Sequence, residues 1–151
     1  MSLALRRFLF NSYGGFGDKR VKDINRDYPF KLDDQSPSDK HEHFCGVFAR
    51  VHGTDHFTLS LTNHCPLDAE IEAAVTARGG RVTKHDLATA LDVDLSVDDV
   101  DFVEELGARI RRLVAPGRRY VNPNWKWVCP RTADSLQRFA EALRQYRKQA
   151  G

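Results

Sequence analysis

Residues 57 to 62 constrain this chain more than any other stretch. Phe57, Leu59 and Leu61 alternate with Thr58, Ser60 and Thr62. A period of two places the apolar side chains on one face of a β-strand and the hydroxyls on the other. A strand buried on one side needs a partner and a cover. The partner lies upstream, where Phe44-Cys-Gly-Val-Phe-Ala-Arg-Val51 is rich in β-branched and aromatic residues. His52-Gly-Thr-Asp-His56 separates the two runs and reads as a turn, so the pair is expected to form a β-hairpin. Two strands do not hold together alone in water. Their apolar face must be covered by the N-terminal apolar segment, Leu5 to Phe10, or by the second half of the chain.

That second half is punctuated as helices. Leu67, Ile71, Ala74, Val75 and Arg78 share a helix face, and Gly79-Gly80 follows as a C-terminal stop. Thr83 and Asp86 sit where an N-cap and its capping-box acid belong, so a short helix is expected through Leu91. Ser96 and Asp99 repeat the signal ahead of Val97, Val100, Val103, Leu106, Ile110 and Leu113, a continuous apolar stripe. Ala115-Pro-Gly117 ends that helix. Arg118 to Cys129 reads as a second hairpin with Asn122-Pro-Asn124 at its turn, and Thr132 as the cap of a last helix carrying Leu136, Phe139, Ala140, Leu143 and Tyr146.

The expected class is therefore α+β: an N-terminal segment containing a β-hairpin, packed on a C-terminal helical module. The chain divides near Cys65-Pro66, giving a region 1–65 and a module 66–151, as two parts or one unit. Over about residues 66 to 131 the order of elements, with Gly79-Gly-Arg-Val-Thr-Lys-His-Asp-Leu-Ala-Thr-Ala-Leu-Asp-Val93 at its start, resembles the helix-turn-helix of winged-helix proteins. That resemblance implies two small helices meeting steeply and a β-hairpin wing after the third helix.

A chain of 151 residues, 41% hydrophobic and 29% charged, has the composition of a folded globular protein. It contains no apolar run long enough to span a bilayer as a helix. The first ten residues place Arg6 and Arg7 inside the apolar run, unlike the order of a secretory signal. Three widely spaced cysteines, Cys45, Cys65 and Cys129, suit reduced thiols better than a disulfide framework, so a cytoplasmic location is expected.

The net charge is only +2, but its distribution is uneven. Asp92 to Glu105 holds seven acidic residues and no Lys or Arg, whereas Arg109 to Arg131 holds seven basic residues and no Asp or Glu. Separated blocks of opposite sign point to two surfaces with different partners. Arg109, Arg112, Arg118, Arg119, Tyr120, Asn124, Trp125, Lys126 and Arg131 combine cations that neutralise phosphates with aromatic faces that stack on bases. These are the expected nucleic-acid contacts. Ser96-Val-Asp-Asp-Val-Asp101, followed by Glu104 and Glu105, is too acidic to approach a duplex as a recognition helix. Asp98, Asp99, Asp101, Glu104 and Glu105 are therefore expected to face a protein partner.

Other chemistry is less well supported. His41, His43 and Cys45 are spaced by two on one strand face and are the weak candidates for a metal, but no C-x-x-C or H-E-x-x-H spacing accompanies them. The glycine loop Tyr13-Gly-Gly-Phe-Gly-Asp-Lys-Arg20 lacks the Walker pattern, and Asp33-Asp34 stands in a polar loop. No catalytic residue or cofactor is assigned. The expected function is that of a non-enzymatic accessory protein. Its basic aromatic hairpin binds nucleic-acid backbone, DNA or RNA, and its acidic helix docks a protein or a second copy of the chain. The alternatives are a pure protein–protein subunit, or a small metal-dependent enzyme using the His41 and His43 region. No membrane association is expected.

Overall fold

The sheet is built around the hairpin. The structure is a computed structural model that describes residues 5, 8, 30–31, 46–62, 65–84, 89–120, 123 and 125–150. Strands β2 (Gly46–His52) and β3 (His56–Thr62) pair antiparallel from Gly46↔Thr62 to His52↔His56, as the alternation required. A two-residue strand, β1 (Phe30–Lys31), adds to the outside of β2. On the other side of β3 comes β5 (Thr89–Ser96), and outside that β4 (Arg81–Lys84). The sheet is antiparallel throughout, in the order β1-β2-β3-β5-β4. The β3–β5 ladder crosses the Cys65-Pro66 division of the sequence, so both halves contribute to one sheet.

Three helices follow or interrupt the strands: α1 (Ala69–Ala77), α2 (Val100–Arg112) and α3 (Trp125–Ala150). Val47, Ala49, Phe57, Leu59, Leu61, Leu91, Val93 and Leu95 share one face of the sheet and are buried. The helices fill the core beside them with Ile71 and Val75 from α1, Val100, Val103, Leu106 and Ile110 from α2, and Leu136, Phe139, Ala140 and Leu143 from α3. Phe139 meets Phe57 edge to face, with ring centroids 5.1 Å apart and planes at 82°. Leu5 joins the same core, and the Phe8 ring lies 5.6 Å from that of Tyr146. The mixed α+β class and the hairpin packed on a helical half are as expected.

Two elements differ from the sequence reading. Where a short helix is expected from Thr83 through Leu91, the described residues 81–84 and 89–96 are strands instead. Leu91, Val93 and Leu95 alternate with Asp92 and Asp94, and pairing with Leu61, Leu59 and Phe57 on β3 buries all three. That cross-strand burial outweighs the weak helix signal at Thr83. The hairpin expected over 118–129 is also absent. Residues 118–120 form no strand, and α3 begins at Trp125, well before Thr132, and runs through Pro130. Proline removes an N–H bond inside a helix. Burial of Trp125, Val128, Cys129 and Thr132, spaced three and four apart on one face, compensates. The sequence of elements on which the winged-helix resemblance rested is therefore not the observed one.

Tight turns set the angle at which α1 joins the sheet. Gly79 has φ +76°, and the Gly79 and Gly80 N–H groups return to the carbonyls of Thr76 and Val75. Gly80 has no room for a side chain: a Cβ there would lie 2.6 Å from Val75 Cγ1 and 2.9 Å from the carbonyl oxygens of Val75 and Asp92. Gly80→Ala is expected to destabilise the fold by about 1–3 kcal/mol, and Phe139→Ala by about 3–5 kcal/mol. Urea unfolding midpoints read both; a wild-type midpoint in either variant contradicts the packing described.

Candidate nucleic-acid interface

The residues singled out from the sequence belong to α2, to the loop after it and to the start of α3. The capping box that Ser96 and Asp99 announce closes a single 3-10 turn, Val97–Asp99, which leads directly into α2. Ser96 Oγ accepts from the Asp98 N–H at 3.1 Å, and Asp99 Oδ2 accepts from the Ser96 N–H at 2.8 Å. Arg78, just past α1, donates to Asp99 Oδ1 at 2.5 Å and stacks 4.6 Å from the centroid of the Phe102 ring. Burial alone raises the Asp99 pKa. The Ser96 backbone N–H and the Arg78 guanidinium outweigh it and hold the carboxyl below the ordinary value of 3.8.

The acidic block is paired within the molecule. Glu104 accepts from Arg144 at 2.7 Å, Asp101 lies 3.7 Å from the same guanidinium, and Asp98 lies 3.5 Å from Arg147. The hydrogen bond from Arg144 lowers the Glu104 pKa, and the same bond raises that of Arg144. Glu105 completes the set, 3.4 Å from Arg109 and 3.2 Å from Arg112. All five of the acids expected to meet a protein partner, Asp98, Asp99, Asp101, Glu104 and Glu105, thus have cationic neighbours in the chain itself.

The basic block is paired in part. Arg109 also reaches Glu70 at 3.7 Å, Arg118 donates to Asp68 Oδ2 at 2.8 Å, and Arg111 donates to Asp134 at 2.5 Å and Gln137 at 3.1 Å. Asp68 has a second role, since its Oδ1 caps α1 by accepting from the Ile71 N–H at 2.9 Å. Arg119, Lys126 and Arg131 are exposed, and Arg119 and Lys126 form no ion pair with a described residue. Tyr120 is half-buried against the core, and Trp125, only 8% exposed, has no face free to stack on a base. Asn124 lies outside the described residues, as do His41, His43 and Cys45. Among the described residues no three metal-ligating side chains converge. Cys65 and Cys129 are buried and form no disulfide with each other, and burial pushes the Cys129 thiol up to about 12, which keeps it protonated at neutral pH.

Sequence reading missed the polar face of the sheet. Thr58 donates to Asp94 at 2.5 Å and Ser60 donates to Asp92. With the Thr58 proton committed to Asp94, the His52 Nε2–H must be the donor in its 2.7 Å contact with Thr58 Oγ1. The alternation in 91–95 was a usable signal for this face; the pairing that aligns Asp92 with Ser60 and Asp94 with Thr58 was not visible locally. Arg111 and the carboxylates of Asp68, Glu70 and Asp134 were also missed as members of the basic end. None of the described helices is long and apolar enough to cross a membrane. No protein family, curated protein or solved structure matches this chain.

The Asp99 capping box gives a signed pH dependence. Its native pKa is lowered, so its contribution is fully present above the unfolded value near 3.8 and is lost as pH falls through the lower native value. The stability difference between wild type and Asp99→Asn should be flat between roughly pH 5 and 7 and shrink below about pH 4. Ser96→Ala should cost about 1 kcal/mol. Urea titrations across that range check both, and a difference that grows towards acid contradicts the assignment.

Proposed function

We propose that this protein binds the phosphodiester backbone of nucleic acid, without catalysis, at the end of the helical layer where α2 finishes and α3 begins. The supporting observation is the charge left over after internal pairing. Arg109, Arg111, Arg112, Arg118, Arg119 and Lys126 lie at this end, and the described carboxylates paired with them are Asp68, Glu70, Glu105 and Asp134. At the opposite end Asp98, Asp101 and Glu104 are offset by Arg144 and Arg147.

The contact in this reading is electrostatic and sequence-tolerant, because phosphates are its target and the Trp125 ring is committed to the core. Residues 98–105 are left out of the surface, their carboxylates being satisfied within the chain. The proposal includes a cytoplasmic location, supported by the buried thiols of Cys65 and Cys129, which form no disulfide with each other.

Fluorescence anisotropy with short duplex DNA and duplex RNA, at two salt concentrations, tests the reading. Wild type should bind at low salt and weaken steeply as salt rises. Arg119→Ala with Lys126→Ala should weaken binding and lower the slope of log K against log salt by about two. Lys148→Glu makes the same change in net charge near the far end of α3 and should leave binding nearly unchanged. Absence of wild-type binding at low salt, or an equal loss in Lys148→Glu, overturns the reading and favours a protein–protein subunit.

A further inference from the structure

The arginines at the basic end are not all available. Arg118, Arg109 and Arg112 are each held by a carboxylate of the chain itself, and one of these carboxylates, Asp68, also caps α1. Asp68 uses one oxygen to cap α1 and the other to accept from Arg118 at 2.8 Å. Glu105, exposed on α2, lies between Arg109 at 3.4 Å and Arg112 at 3.2 Å. The side chains of these pairs are between 22% and 52% exposed. Exposed ion pairs of this kind are weak and exchange readily. A guanidinium engaged in this way stays within reach of solvent but has an anion already at its donor edge.

We infer that Asp68 and Glu105 act as built-in competitors for the phosphate backbone, holding Arg118 and Arg112 in reserve and limiting both affinity and the number of phosphates engaged. The inference rests on the proposed nucleic-acid reading and specifies how that site is regulated. In the resting protein the backbone meets Arg119 and Lys126. Each further arginine joins only when a phosphate oxygen displaces its carboxylate, as the guanidinium fork accommodates either anion with similar geometry. Displacement at Arg118 leaves the α1 cap intact, because the cap uses the other oxygen of Asp68. The competition is therefore separable from stability.

Asp68→Asn and Glu105→Gln test this, because each removes a competing charge and little else. Asparagine caps a helix about as well as aspartate, so Asp68→Asn should remain folded, as a thermal melt will verify; Glu105→Gln lies on an exposed helix face and provides a second, independent variant. Each should tighten duplex binding roughly two- to fivefold at low salt, the range expected for one exposed ion pair. Each should also steepen the slope of log K against log salt by about one, the signature of one added phosphate contact. Glu141→Gln makes the same change in net charge in the later half of α3 and should leave the slope unchanged. If wild type binds but both variants keep the wild-type slope, or if Glu141→Gln steepens it equally, the competition inference is wrong while the nucleic-acid reading survives. If wild type does not bind, that reading has failed.

Discussion

Everything in this molecule hangs on the contact between the apolar face of the sheet and α3. The Phe57 and Phe139 rings meet edge to face at 5.1 Å, in a core shared by β2, β3, β5, α1, α2 and α3. An antiparallel sheet of this size gains its stability by burying its apolar face, while on the other face Thr58 and Ser60 are buried with their hydroxyls bonded to Asp94 and Asp92. The helices are equally dependent, since α2 and α3 carry apolar stripes that need a surface to cover. The polar interactions then take positions the core has fixed. Ser96 and Asp99 start α2 where β5 ends, Asp68 starts α1, and the Tyr146 hydroxyl donates to the carbonyl of Thr54 in the β2–β3 turn at 3.1 Å.

How far the sequence reveals this depends on whether the signal is local. The β2–β3 hairpin is legible because the alternation of Phe57, Leu59 and Leu61 and the turn at Gly53 lie within a few residues of one another. Helix α2 is legible for the same reason, with a capping box directly ahead of its apolar stripe. Strand β5 is not, although Leu91, Val93 and Leu95 alternate. Its ambiguity is resolved by pairing with residues about 30 positions upstream, and a Thr-x-x-Asp pattern at 83–86 imitates a helix start. The beginning of α3 is misread because Pro130 usually marks a helix boundary. The burial of Trp125, Val128 and Cys129 that overrides it is a tertiary effect.

The candidate site shows the same limit in its charges. The blocks 92–105 and 109–131 are plain in the sequence, and on that basis alone they predict two unlike surfaces. In the folded chain Arg144 and Arg147 come alongside Asp98, Asp101 and Glu104, and Asp68 comes alongside Arg118. These partners are separated by more than a quarter of the chain, and the antiparallel packing of α2 against α3 brings most of them together. The acidic face is therefore largely neutralised, whereas the basic end retains a surplus because Arg119 and Lys126 form no ion pair with a described residue. A linear charge map locates both blocks but does not show that the acidic one lies beside Arg144 and Arg147.

Stability and the proposed binding consequently rest on different forces. Core burial is insensitive to salt at physiological strength, whereas the ion pairs over α2 and α3 are exposed and weakened by it. Charges at the basic end sit in exposed pairs whose loss costs the fold little, which is what the proposed exchange with a polyanion requires. The same holds in the other direction: substitutions that retune the surface leave the Phe57–Phe139 contact untouched. Two acids also start helices: Asp68 caps α1 with one oxygen and meets Arg118 with the other, whereas the one Asp99 carboxylate closes the capping box and pairs with Arg78. A charge change there disturbs the junction of α1, β5 and α2. The distinction between carboxylates that build the fold and carboxylates that only occupy an arginine determines which parts of this surface are free to change.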